Sequence, residues 1–97
     1  MSGSTRQFRR LAVVNRGEAA MRCVRAVKAL RTLERSDLEV IALYTDADRD
    51  APFVRHADHA TRLVSSKGAV AAYLDHDGLL EALAQQSADA VWPGWGF

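Results

Sequence analysis

The stretch that decides the fold is Leu11-Ala12-Val13-Val14-Asn15-Arg16-Gly17-Glu18. Its first four residues form an unbroken apolar run, which is typical of a strand covered on both faces inside a parallel sheet. A polar pair, a glycine and an acid follow directly, as in a short loop that leads into a helix. The stretch therefore predicts a buried strand that ends in a strand-to-helix loop.

A helix is predicted over residues 17–33, because apolar residues recur there at helical spacing. Arg22 and Arg25 lie on the opposite, polar face. A second apolar run, residues 40–44, predicts a second strand, so the three elements make a βαβ unit with a right-handed crossover. The apolar face of the helix consists of Ala20, Cys23, Val24, Val27 and Leu30.

The rest of the chain continues the alternation of strands and helices. Residues 45–50 are polar and predict a loop, Pro52 suits the first turn of a short helix over residues 53–60, and residues 62–64 predict a third strand. Asp75 or Asp77 can cap a last helix, which carries Leu79, Leu80, Leu83 and Ala84, and residues 88–92 return as a fourth strand. We therefore expect a flexible leader over residues 1–9, then an α/β, Rossmann-like domain: a parallel sheet of about four strands with flanking helices.

The composition excludes several classes of protein. The chain has 97 residues, of which 48% are hydrophobic and 26% charged, and no run is long enough to span a membrane. A net charge of +1 gives no field that would attract nucleic acid. A single cysteine and the lack of a secretory signal favour a reducing, cytoplasmic compartment.

Ligands of parallel α/β sheets bind beyond the carboxyl ends of the strands, so the loops of interest are residues 15–18, 45–50 and 93–97. The first loop has one glycine where a dinucleotide fingerprint needs three, which argues against NAD or FAD. Asp46 is expected to cap the backbone of its own loop. Residues 65–68 hold a lysine and a glycine in the wrong order for a phosphate loop.

The remaining candidates do not form a catalytic set. His56 and His59 are expected as a surface pair on the short helix, without further metal ligands at suitable spacing, and Cys23 as a buried thiol. Two features remain: the arginine pair, Arg22 and Arg25, suits an interface, and the turn Gly94-Trp95-Gly96 suits a flat, uncharged ligand held by backbone and ring contacts.

The loops together resemble those of the N-terminal domain of biotin carboxylases. The resemblance runs through six stretches in order, from the Asn-Arg-Gly-Glu of residues 15–18 and the Ala-x-Arg of residues 20–22 to the Thr-x-x-Asp-Arg-Asp-Ala of residues 45–51. It continues through residues 56–60 and 72–74 and ends in residues 88–97, which close with Pro-Gly-Trp-Gly-Phe. Trp92 and Trp95 replace the usual histidine and tyrosine, which is similar to large single-chain acetyl-CoA carboxylases.

The resemblance implies a pre-ATP-grasp domain over residues 10–97, truncated at its C-terminal end. The complete enzyme would be a ligase that uses ATP, magnesium and bicarbonate to carboxylate biotin on a carrier domain. The resemblance places Gly94, Trp95, Gly96 and Phe97 near biotin and Arg22 and Arg25 in a subunit contact. The partners implied are the ATP-grasp and C-terminal domains, the biotin carrier, a carboxyltransferase and a further copy of the protein.

The isolated chain is expected to be inactive and to bind none of these cofactors alone, because the family's catalytic and metal ligands belong to later domains. Two alternatives stay open. One is a free-standing Rossmann-like binding or assembly module without catalysis, and the other is the front domain of a different ATP-grasp ligase.

Overall fold

A computed structural model describes residues 9–64, 68, 72–73 and 75–94. Its four strands all pair in parallel, in the order β3-β2-β1-β4, which confirms the predicted α/β class. The elements are β1 (Arg10–Val13), α1 (Gly17–Glu34), β2 (Glu39–Tyr44), a short 3-10 turn (Asp46–Asp48), α2 (Pro52–His56), β3 (His59–Arg62), α3 (His76–Gln85) and β4 (Ala90–Trp92).

Both faces of the sheet are covered, which explains the unbroken apolar runs of β1 and β2. On one face, Val13, Val40 and Ala42 pack against α1 and α2. On the other face, Ala12, Ile41 and Leu43 belong to a second core cluster, which includes Ala82 of α3. Because successive strand residues alternate between the faces, the two central strands, β1 and β2, each contribute to both clusters.

The α1 helix begins and ends with residues of positive φ. Gly17 has φ +65°, and Arg35, after the last turn, has φ 51°. The predicted apolar face is confirmed for Ala20, Cys23, Val24 and Val27, which are buried, whereas Leu30 is 43% exposed. Leu30 instead lines an open cavity together with Leu11, Val27 and Leu38.

The third strand begins three residues earlier than the sequence predicts, and the preceding helix is shorter. The prediction of a helix over residues 53–60 and a strand over residues 62–64 is therefore wrong in its boundaries. The backbone N–H of Asp58 donates to the Val40 carbonyl at 3.0 Å, and the Asp58 carboxylate accepts the Val40 N–H at 2.9 Å. These two bonds end α2 at His56 and bring the chain into the sheet at His59.

The last helix and strand follow the sequence prediction closely. Asp75 caps α3 by accepting the Gly78 N–H, and Leu79 and Leu83 face the core. Leu80, in contrast, is 65% exposed. None of the helices among the described residues is long and apolar enough to cross a bilayer.

Asp89 aligns the first and last strands at their amino ends. Its carboxylate accepts the backbone N–H groups of Arg9 and Arg10 at 2.8–3.1 Å. These bonds lower the pKa of Asp89, since they favour the charged carboxylate. Of the leader predicted over residues 1–9, only Arg9 is among the described residues.

Candidate functional site

The carboxyl ends of β1 and β4 lie side by side at the centre of the candidate site. The chain leaves β1 into α1 on one face of the sheet, whereas β4 is reached from α3 on the other face. Such a reversal of strand order creates the crevice in which open α/β sheets bind ligands. The predicted loops over residues 15–18 and 93–97 therefore meet at this edge, although residues 95–97 lie outside the described residues.

Asn15 joins the two loops through its side chain. It is only 5% exposed, and its Nδ2 donates to the Pro93 carbonyl at 2.9 Å. Its Oδ1 accepts the Arg16 N–H at 2.8 Å. One residue earlier, the Val14 N–H donates to the Trp92 carbonyl at 3.0 Å, so the β1–β4 ladder runs directly into this side-chain contact.

Gly94 closes against the same asparagine. It has φ +63°, and a Cβ placed on it would lie 2.7 Å from Asn15 Nδ2 and 2.9 Å from the Trp92 ring. Both distances are too short for real carbon contacts, and L side chains rarely adopt this φ. The turn therefore needs glycine here for conformation and for space.

Arg16 connects the loop after β1 to the loop after β2. Its Nε and Nη2 donate to the two Asp48 carboxylate oxygens at 2.7 and 2.9 Å, a bidentate pair. The hydrogen bond to Asp48 raises the pKa of Arg16 above its ordinary value. The arginine thus serves as a brace between two loops, a role that the sequence analysis did not foresee.

An open cleft of ≈ 590 Å³ lies between the start of α1 and the turn after β4. Its lining is largely apolar, with the Glu18 and Arg22 side chains adding polar groups. The lining residues are Glu18, Ala19, Arg22, Trp92, Pro93 and Gly94. This combination of an indole, a proline and glycine backbone suits a flat, uncharged group.

Arg22 and Arg25, predicted on the polar face of α1, are both exposed. Arg22 Nε and Arg25 Nη1 each lie 3.7 Å from Glu18 Oε1, so one carboxylate faces two guanidinium groups. Contacts of this length between exposed groups hold the side chains weakly. Both arginines therefore remain accessible to a partner.

Two minor expectations of the sequence analysis are wrong. His56 and His59 do not share a helix: His56 ends α2, and His59 Nε2 lies 3.2 Å from Glu39 Oε1 and 3.3 Å from the Arg10 guanidinium. Asp46 binds side chains and does not cap its loop, because its carboxylate accepts two bonds from Arg62. In both cases the neighbouring strand supplies a charged partner that lies far away in sequence.

The structure also answers the questions of thiol and metal chemistry for the described residues. Cys23 is buried, as predicted, and burial raises the pKa of its thiol to about 11. No group of three or more His, Cys, Asp or Glu side chains within the described ranges is arranged to hold a metal ion.

Two side-chain contacts are not predicted from the sequence. The Tyr73 hydroxyl donates to the Leu43 carbonyl at 2.9 Å inside the core, and burial raises the pKa of this hydroxyl to about 12. For Asp48, the sequence predicts only that it lies in the loop over residues 45–50. Its position after β2, next to the loop after β1, is a signal that could have paired it with Arg16, because adjacent parallel strands end at the same edge.

Comparison with known proteins identifies the family. Residues 7–97 match the family model for the biotin carboxylase N-terminal domain. The chain is 35% identical over 89 residues to a biotin carboxylase of Halalkalibacterium halodurans, a match that covers 92% of this chain and 18% of that protein. It is 38% identical over 96 residues to the biotin-dependent acyl-coenzyme A carboxylase alpha3 subunit of Mycobacterium leprae, covering 99% of this chain and 15% of that protein.

A solved structure agrees with these matches. The biotin carboxylase domain of a single-chain bacterial carboxylase superposes with a TM-score of 0.79 at 38% identity, covering 92% of this chain and 19% of that chain. The chain thus spans less than a fifth of each of these three proteins. The chain belongs to the biotin carboxylase N-terminal domain family.

Proposed function

We propose that this domain forms one wall of the active site of a longer biotin-dependent acyl-CoA carboxylase. In that enzyme ATP and bicarbonate would be used to carboxylate biotin on a carrier domain. The observation that carries the proposal is the junction of the loops after β1 and β4, where Asn15 holds Pro93 beside the apolar cleft. Membership of the biotin carboxylase family indicates the reaction, and biotin, the acceptor, would bind in the cleft beside this junction.

The described residues fit a biotin ring better than they fit a nucleotide. The cleft combines the Trp92 indole with the bare backbone of Gly94, which suits a compact, uncharged bicyclic ring. Biotin would supply the ureido nitrogen that accepts the carboxyl group. The role of this chain would be to bind and orient the ring and to keep water from one side of it.

The ligands for ATP and magnesium are proposed to lie in the other domains of the longer protein. Phosphoryl transfer needs cations placed around the developing charge. Among the described residues, the arginines nearest the edge are already committed, since Arg16 is bound to Asp48 and Arg62 to Asp46. The isolated chain is therefore expected to hydrolyse no ATP.

The partners follow from the same proposal. The remaining biotin carboxylase domains, a biotin carrier and a carboxyltransferase would assemble with this domain. The exposed pair Arg22 and Arg25 is proposed to contact carboxylates of a second copy, because planar guanidinium groups suit such ion pairs. The single buried thiol, Cys23, is compatible with the reducing cytoplasm as the compartment.

The experiment is to express the whole gene product that carries this domain and to measure ATP turnover with bicarbonate, with and without free biotin. We expect turnover that biotin stimulates, and a native mass several times that of the 97-residue chain. The isolated chain serves as the inactive control. A native product of only 97 residues without a copurifying ATP-binding subunit would refute the proposal and favour a free-standing binding module.

A further inference from the structure

We propose that Asn15 is the positioning residue for the turn that carries the biotin contacts. This inference rests on the function proposed above. Asn15 follows β1, a central strand of the sheet, and its side chain donates a hydrogen bond to the turn after β4. Pro93, which accepts this bond, lies 78 residues further along the chain.

Both polar atoms of the Asn15 side-chain amide form hydrogen bonds. Nδ2 donates to the Pro93 carbonyl, and Oδ1 accepts the N–H of Arg16, the residue that starts the strand-to-helix loop. A single amide therefore fixes the distance between the loop after β1 and the turn after β4. Aspartate has the same shape but lacks the donor, so a carboxylate oxygen would face the Pro93 carbonyl oxygen.

Gly94 shows that the two loops pack too closely to admit a side chain at this position. A Cβ at this position would meet Asn15 Nδ2 on one side and the Trp92 ring on the other. Asn15 thus holds the turn by its hydrogen bond to Pro93, and the lack of a side chain at Gly94 lets the turn approach Asn15. Moving either partner displaces Pro93 and Gly94, which line the cleft.

Burial of a polar side chain at this edge of the sheet does not by itself join two loops, as a residue after β2 shows. Thr45 directly follows β2 at the same edge of the sheet and is also 5% exposed. Its Oγ1 is buried without a hydrogen-bond partner among the described residues. Thr45 therefore provides a matched control: a buried polar group at the same edge that ties no loop to the turn.

The consequence for the reaction is a selective effect on biotin. A turn that is no longer fixed holds the acceptor ring less well, and misplacement by about 1 Å can cost about a hundredfold in rate. We expect Asn15→Asp to lower kcat/KM for biotin by about ten- to a hundredfold. The KM for biotin is expected to rise severalfold more than the KM for ATP, because the proposed ATP ligands lie in other domains.

The test uses the full-length enzyme with free biotin as the variable substrate. Wild type is measured first, and a wild type without biotin-stimulated ATP turnover refutes the proposed function before any variant is made. Asn15→Asp and Gly94→Ala are then compared with Thr45→Val. Support requires that the first two variants raise the KM for biotin selectively and that Thr45→Val matches wild type.

Two results would overturn the positioning role. One is a biotin KM of wild-type size in either variant that folds, judged by thermal unfolding. The other is an equal loss of ATP and biotin parameters in both variants, which indicates a purely structural role. Because Gly94→Ala perturbs the junction from the opposite side, it decides the question if Asn15→Asp does not fold.

Discussion

Replacing Asp58 tests how the amino-terminal half of the sheet is held together. One carboxylate oxygen, Oδ2, accepts the Val40 N–H at 2.9 Å and an Arg31 Nη1 hydrogen at 2.8 Å. Arg31 Nη1 also donates to the Leu38 carbonyl at 2.9 Å. A single side chain thus connects the end of α1, the start of β2 and the turn before β3.

The structure allows the size of the effect to be worked out in two steps. Hydrogen bonds to charged groups contribute about 1.5–3 kcal/mol, and partial exposure of this pair argues for the lower end. Asp58→Ala removes both bonds and should cost about 2–3 kcal/mol. Asp58→Asn keeps an oxygen acceptor and removes only the charge, so it should cost about 1 kcal/mol.

The charge also predicts a dependence on pH. Partial burial raises the pKa of Asp58, but the bonds from Arg31 and the Val40 N–H outweigh it, so the pKa lies below its ordinary value. A carboxyl with a lower pKa in the folded state stabilises the protein above the unfolded value of about 3.9. This contribution is lost as the pH falls below about 4, and Asp58→Asn should abolish that part of the acid sensitivity.

The assay is urea unfolding at pH 7 and across the acid range, followed by tryptophan fluorescence. Asp50→Asn is the matched control, since Asp50 is exposed and should change stability by less than about 0.5 kcal/mol. Two findings would refute the reasoning: an Asp58→Ala variant as stable as wild type, or an Asp58→Asn variant with unaltered acid sensitivity. Either one would mean that the two bonds contribute nothing net to folding.

Three further predictions concern single side chains. Phe53→Ala empties a site that is 1% exposed and should cost about 3–5 kcal/mol in urea unfolding, whereas a cost below about 1 kcal/mol would contradict the described packing. Cys23 should react with iodoacetamide at pH 8 at least about tenfold more slowly in the native protein than in urea, because burial raises its pKa to about 11; equal rates measured by mass spectrometry would rule this out. Gly17→Ala should cost about 1 kcal/mol through its φ of +65° alone, since no atom lies near an added Cβ, and a stabilised variant in thermal unfolding would disprove it.

The central elements were predictable because their patterns are strong and local. The apolar runs of β1 and β2 and the helical period of α1 each follow from a single stretch of sequence. The role of Asp75 as the N-cap of α3 was also predictable, since an N-cap signal is local. These features depend on neighbours in the chain, and the sequence displays those directly.

The edge strand β3 could not be placed from sequence because its start is fixed from outside. Its four residues alternate between half-buried and exposed positions, which is a weak strand pattern. The boundary comes from Asp58 and Val40, which lie 18 positions apart. No local propensity carries that information.

The location of the candidate site was predictable from the sequence, whereas the side-chain contacts that shape it were not. The rule that ligands bind at carboxyl ends of parallel strands located the loops of Asn15 and Pro93. It did not predict that the Asn15 amide joins them, nor that Arg16 reaches Asp48. Such side-chain contacts depend on the register between strands, and that register is absent from a single sequence.

The pairing of β4 with β1 has a consequence for how the domain is assembled during synthesis. The β1–α1–β2 unit uses nearby residues and can form early, whereas Asp89 and Trp92 can meet their partners on β1 only after about 80 further residues have been made. Contacts of such long sequence separation form late in folding, because loop closure costs entropy first. The Asn15–Pro93 contact forms in the same step, so the pairing of β4 and the junction of the two loops arise together.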